Sequence, residues 1–259
     1  MTDGAAPKTP YLPEMTWTEA RDAFARGAIG LLPVGAVEAH GPHLPLGTDV
    51  YLSLELSRRV SRAMAPGVES IVLPPITFSI AECAAEFPGT ISIGANAFRE
   101  GLRGVLASFF RHGLPAVALV NSHLEPEHLA ALAEVAGSFE TAGAPRPRVL
   151  LADHTKKPWA LLLDEEFRSG ECHAGGYETS LLLAIRTCGL VRHDVAKALP
   201  PLEIGLVKKL RAGERSFRTM GAADAYCGQP ALGTAERGEA LYAILVRMWT
   251  ETIREALRA

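Results

Sequence analysis

The sequence predicts an α/β fold with a mostly parallel sheet and helices on both faces. Three observations carry this expectation. Short apolar runs alternate with segments of helical spacing along the chain. Polar stretches follow two of those runs, at the strand ends where open α/β sheets bind ligands. No linker, repeat or low-complexity tract divides the chain. Residues 16–259 therefore read as one domain, and residues 1–15 as a loose N-terminal arm.

Each element has a local reason. Thr16-Trp17-Thr18-Glu19 is a capping-box pattern and predicts a short helix ending near Gly27. Ala28 to Val34 is an apolar run between glycines and predicts a buried strand. Tyr51 to Met64 has helical spacing, and Ser70 to Pro74 predicts a second strand. Ala97 to His112 predicts a helix with Phe98, Leu102, Val105, Leu106 and Phe109 on one face. Ala116 to Val120 predicts a third strand, and Pro126 opens a helix at the first-turn position proline favours. Arg148 to Ala152 predicts a fourth strand. Helices are expected over Lys157 to Phe167, over Glu178 to Leu190 and from Thr234 to the C-terminus.

Composition narrows the class. The chain has 259 residues, 26 Lys+Arg against 29 Asp+Glu, and a net charge of −3. That balance offers no electrostatic footprint for nucleic acid or an anionic membrane. No apolar run reaches the roughly 18–20 residues that span a bilayer. The four cysteines, Cys83, Cys172, Cys188 and Cys227, are scattered and argue against a disulfide framework or a thiolate zinc site. The N-terminus lacks a basic start and an apolar core, so the expected location is the cytoplasm.

Three polar segments hold the candidate chemistry. Gly35 to Asp49 offers Glu38, His40, His43 and Asp49 in a stretch punctuated by Gly and Pro. Imidazole and carboxylate together suit Zn²⁺ or Mn²⁺. A solvated loop could share that composition, but Gly and Pro fix an irregular backbone able to turn several side chains inward. After the third strand, His123 and Glu125 are two residues apart and share a face if extended. The third segment holds Cys172, His173 and Glu178 around Gly175-Gly176. Glu178 could instead simply face a helix dipole, and Cys172 reads as a small buried hydrophobe.

The run Pro33-Val34-Gly35-x-x-Glu38-x-His40-Gly41-Pro42-His43-Leu44-Pro45-Leu46-Gly47-Thr48-Asp49 resembles the signature of the creatininase (creatinine amidohydrolase) family. Phe87-Pro88-Gly89-Thr90, Asn121-x-His123, His173-Ala174-Gly175-x-x-Glu178-Thr179-Ser180 and Gly228-x-Pro230 fit the same family in the same order. The resemblance implies a three-layer α/β/α sandwich and a dinuclear site with two Zn²⁺ or Mn²⁺ per chain. It implies Glu38, His40, Asp49 and His123 as metal ligands, with Asp49 bridging. The last carboxylate is either Glu125 or Glu178, each also a candidate catalytic group.

The implied reaction is hydrolysis of a C–N bond, other than a peptide bond, in a small cyclic amide, formamide or related amide. Cleavage of a modified peptide, as by mycofactocin-precursor peptidases, and metal binding without turnover are the alternatives. His173 is the candidate proton shuttle and contacts substrate together with Ser79 and Leu124. His43 is expected to orient the loop. His112, His128, His154 and His193 read as surface or capping residues. The expected partners are a small amide and further copies of the chain, a hexamer by resemblance. Creatininase proper carries a Trp-containing segment before the active-site His. Here Ser169-Gly170 stand there, so creatinine is expected to be a poor substrate, with Arg168 or Glu171 reading polar groups of a larger amide at the mouth. Trp159 could refill that gap.

Overall fold

A computed structural model describes residues 9–140, 148–185 and 189–258. Four parallel strands form one sheet: β1 (Ile29–Val34), β2 (Ser70–Val72), β3 (Val117–Asn121) and β4 (Val149–Leu150). Their order is β2-β1-β3-β4. Helices in chain order are α1 (Trp17–Ala25), α2 (Thr48–Met64), α3 (Ala95–Arg111), α4 (Pro126–Gly137), α5 (Glu165–Ser169), α6 (Gly176–Ala184), α7 (His193–Ala198), α8 (Leu206–Arg211), α9 (Phe217–Met220) and α10 (Ala235–Arg258).

Strand alternation builds the three layers. Ile29 and Leu31 of β1, Ala118 and Val120 of β3, and Val72 of β2 face a core filled from α2, α6 and α10. Leu32, Val34, Val117, Leu119 and Ile71 face the opposite core, filled from α1, α3 and α4. Side chains point alternately up and down a strand, so two buried faces require a continuous apolar run. The expected α/β/α sandwich is what forms. A third, smaller cluster lies among the later segments, with Leu206, Phe217, Met220, Ala225 and Cys227 packed on Ala39 and Cys83.

Several elements depart from the sequence reading. The Thr16 capping box closes as expected. Residues 9–15, however, are not loose. Val72 N–H donates to Pro10 O at 2.9 Å, and Tyr11 bridges Val72 at the sheet edge. Residues 1–8 of the expected arm lie outside the described residues. The α2 helix begins at Thr48, so Asp49 sits in its first turn and not in an irregular loop. Lys157 to Phe167 is not one helix: a short 3-10 turn, Trp159–Leu161, is followed by α5, whose N-cap Asp164 accepts from Phe167 N–H at 2.9 Å. The helix from Glu178 ends at Ala184, short of Leu190, and Cys188 lies outside the described residues.

The two central strands end side by side, with Val34 paired to Asn121. The loops after β1 and β3 diverge from there toward opposite halves of the sheet. That is where an open α/β sheet forms its crevice.

Candidate metal centre

The loop after β1 carries Glu38 and His40 and returns into α2, which carries Asp49. Gly35 makes that return possible. A Cβ there would lie 2.7 Å from the backbone of Asp49. The loop is pinned by Glu38 N–H to Leu46 O at 2.9 Å and by Ala39 N–H to Thr90 Oγ1 at 3.0 Å. The segment after β3 brings in His123. Asn121 braces it, donating to His123 O at 2.6 Å and accepting from His123 N–H at 3.2 Å. Glu178 enters from the first turn of α6, where its carboxylate accepts from Ala174 N–H at 2.6 Å. Ala174 holds φ 50, an uncommon conformation for a residue with a Cβ.

Two backbone carbonyls set the protons on the imidazoles. His123 Nε2 is 2.7 Å from Ile80 O, and His40 Nδ1 is 3.1 Å from Glu38 O. A carbonyl only accepts, so each of those nitrogens carries the hydrogen, leaving His123 Nδ1 and His40 Nε2 as lone-pair donors. Both face carboxylates. His123 Nδ1 is 3.1 Å from Asp49 Oδ2 and 3.2 Å from Glu38 Oε1. His40 Nε2 is 3.2 Å from Asp49 Oδ1 and 3.6 Å from Glu178 Oε2.

Lone pairs facing anions repel unless a cation lies between them. Glu38 Oε2, His40 Nε2 and Asp49 Oδ2 are buried without a hydrogen-bond partner, which is costly for polar atoms. Two sets share Asp49: Glu38, Asp49 and His123, and His40, Asp49 and Glu178. The ligand atoms of each set lie within 4.8 Å of one another. One oxygen of Asp49 faces each imidazole. The donor set therefore fits two divalent ions bridged by one carboxylate.

Electrostatics show the same need for positive charge. Burial works against protonation of His40, yet Asp49 and Glu178 raise it to about 10. His123 is raised as well, against its burial, by Glu38 and Asp49. Burial pushes Glu178 up to about 8. Without metal, protons do what cations would do. Burial and the nearby His40 hold His173 down at about 4.

The cluster opens into a cavity of about 600 Å³ lined also by Leu124, Glu125, Cys172 and His173. Glu125 is held apart from the cluster, accepting from Glu82 N–H at 3.2 Å and Cys83 N–H at 3.1 Å. His173 donates from Nε2 to Ala39 O at 3.0 Å, which leaves Nδ1 as its free ring nitrogen.

A model of the family described as creatinine amidohydrolase matches residues 13–253. The chain belongs to the creatininase family. It is 31% identical to a mycofactocin precursor peptide peptidase of Mycobacterium ulcerans, over 83% of this chain and 80% of the relative. It is 26% identical to the creatinine amidohydrolase of Pseudomonas putida, over 96% of this chain and 97% of the relative. Its fold matches a solved manganese creatininase with a TM-score of 0.74 at 23% identity, covering 96% of this chain and 98% of that one.

The other creatininase motifs serve as supports. His43 Nε2 lies 3.1 Å from Thr179 Oγ1, tying the first loop to α6 beside Glu178. Cys227 N–H donates to His173 O at 2.9 Å, next to the Gly228-x-Pro230 motif.

Other residues are placed differently from the sequence reading. Ser79 is fully buried and does not line the cavity. Its hydroxyl is 2.6 Å from His128 Nδ1. His128 and His154 are buried, not surface residues. His128 Nε2 donates to Asn121 Oδ1 at 2.9 Å, so His128 braces the brace of His123. Glu171 is buried and bound to Ile204 N–H and Leu206 N–H at 3.0 and 2.9 Å, so it is unavailable at the mouth.

Trp159 does not line the cavity either. It packs on the core, with Arg247 over its ring. Phe217 does line the cavity, stacked on His173 with centroids 4.3 Å apart. Sequence reading missed it because no motif surrounds it. An aromatic in a short amphipathic turn beside Gly221 was the one available signal.

Proposed function

We propose that this creatininase-family chain is a metal-dependent amidohydrolase that cleaves a carbon–nitrogen bond, other than a peptide bond, in a small amide. Glu38, Asp49 and His123 would hold one ion, and His40, Asp49 and Glu178 the other. The supporting observation is Asp49, whose two oxygens each face an imidazole with its lone pair turned inward. Zn²⁺ or Mn²⁺ bound there supplies an acidified water and a polarised amide carbonyl.

The chain's own residues do the rest. Ile80 O and Glu38 O orient the two imidazoles, each holding the hydrogen of the far ring nitrogen so that the other nitrogen faces the carboxylates. Glu125, pinned by two N–H groups on the cavity wall, takes the proton of the attacking water at its carboxylate. That proton passes through His173 Nδ1, whose lone pair is free to receive it, to the leaving nitrogen, and the Ala39 carbonyl and the Phe217 ring hold the imidazole's orientation. Leu124 and Phe217 exclude water from one side of the amide.

Cleavage of a modified peptide is the second reading. The cavity volume of about 600 Å³ and the 31% identity to a precursor-peptide peptidase support it. Metal analysis followed by a screen of cyclic ureas, hydantoins, lactams, N-formyl compounds and short peptides separates the readings. Two ions per chain with turnover of a non-peptide amide is the expected result. Two ions with turnover of peptides alone supports the second reading, and no bound metal overturns both.

A further inference from the structure

The outer end of the cavity is built differently from its inner end. All four carboxylates on the wall, Glu38, Asp49, Glu125 and Glu178, lie at the buried end. The exposed rim carries Arg168, in the last turn of α5, and Arg211, at the end of α8. Apolar surface from Leu206, Val207 and Phe217 lies along the wall as well.

The two arginines are held on one rim. Gly170 follows α5 in the left-handed conformation, and a Cβ there would meet the Val207 side chain at 2.6 Å. Glu171 fastens the same two segments by accepting from Ile204 and Leu206 N–H. The α5 end and the α8 helix therefore cannot drift apart without breaking buried hydrogen bonds.

Neither guanidinium is neutralised. The Arg168 side chain makes one long bond, Nη1 to Leu161 O at 3.5 Å, and the Arg211 side chain makes no hydrogen bond or ion pair among the described residues. Some other arginines find carboxylates: Arg59 with Glu55, Arg237 with Asp164, Arg26 with Glu69. Two divalent ions would balance the four inner carboxylates, leaving the two guanidiniums as the uncompensated charge of the cavity.

We infer that the substrate is an amide with an anionic far end, an oxyanion such as a carboxylate or phosphate, joined to the reacting carbonyl through an apolar segment. This rests on the metallohydrolase reading above. Arg168 and Arg211 are its specificity-determining residues. A guanidinium fork matches both oxyanions, and a ligand that spans the cavity meets metal at one end and arginine at the other. The volume suits a molecule larger than a single small ring.

Octanedioic monohydroxamate tests this without turnover. The hydroxamate addresses the metal end, and the far group is varied between carboxylate, phosphonate and neutral carboxamide. Calorimetry on the Zn²⁺- or Mn²⁺-loaded protein should show one charged end binding at least about tenfold tighter than the carboxamide. The preferred charged end identifies the source of the oxyanion. The preference should shrink in Arg168→Gln and in Arg211→Gln, vanish in the double variant, and weaken with salt. Carboxamide affinity should stay unchanged in all three, which also reports that they remain folded. A carboxamide bound as tightly as both charged probes overturns the inference, as does a preference that survives in the double variant. The metallohydrolase reading is judged separately, by whether carboxamide affinity depends on metal.

Discussion

Asp49 is the residue on which the proposed centre turns. It is buried in the first turn of α2, between two imidazoles. Asp49→Ala should remove both ions together with activity, since a bridging carboxylate serves each. Elemental analysis beside a turnover assay checks this, and a variant with two ions and turnover refutes it. Glu125 and Glu178 should separate in the same assay. Glu178→Gln should cost one ion. Glu125→Gln should keep both ions and lower kcat by about 10²–10⁴, the range of a lost acid–base group. Asn121→Ala removes the brace of His123 and leaves the buried His128 Nε2 without an acceptor. Metal affinity should fall about 10- to 100-fold in a competition titration with a chelator.

At the scale of elements, close approaches set the site. Gly35→Ala would push a Cβ into the start of α2, where backbone, not a flexible side-chain tip, stands in the way. It should destabilise the fold by about 1–3 kcal/mol and weaken metal binding together, measured by urea unfolding and chelator titration. The cavity wall carries a second expectation. Ser169-Gly170, Phe167 and Phe217 line a space of about 600 Å³ that holds no tryptophan among the described residues. Creatinine, a small flat ring, should therefore be turned over with kcat/KM below about 10⁴ M⁻¹s⁻¹, the lower end of the ordinary enzyme range. Steady-state kinetics on the metal-loaded enzyme decides it.

For the whole molecule, acid should be destabilising. His154 is buried, and burial lowers it to about 4 from 6.5. The folded state thus keeps His154 neutral while the unfolded chain protonates it more readily. The stability it contributes is full above about pH 6.5 and is lost as pH falls toward 4. Urea unfolding at several pH values should show this slope, and His154→Leu should make it shallower, leaving the part set by His173, which is likewise held down at about 4. Self-association is a further expectation of the family resemblance. Leu46, Tyr51 and Ile91 leave apolar surface exposed beside the first site loop, which suits a subunit contact. Light scattering showing only monomer at micromolar concentration would count against it.

The sequence alone determined the layered fold and the residue types of the site. Continuous apolar runs marked the buried strands, and the long signature from Pro33 to Asp49 marked the ligand loop, because both are local patterns. Element limits were less legible. Asp49 reads as loop until Gly35 and Pro45 O, which accepts from Thr48 N–H, are seen to support the start of α2. Tertiary structure decided what depends on distant partners. It set Glu178 beside His40 and pinned Glu125 to the backbone of Glu82 and Cys83. It buried His128 behind Asn121, brought Phe217 onto His173, and left Arg168 and Arg211 unpaired on one rim. A side chain's role follows from which backbone groups and charges it meets, and segments more than a hundred residues apart supply them here, as when Glu178 meets His40.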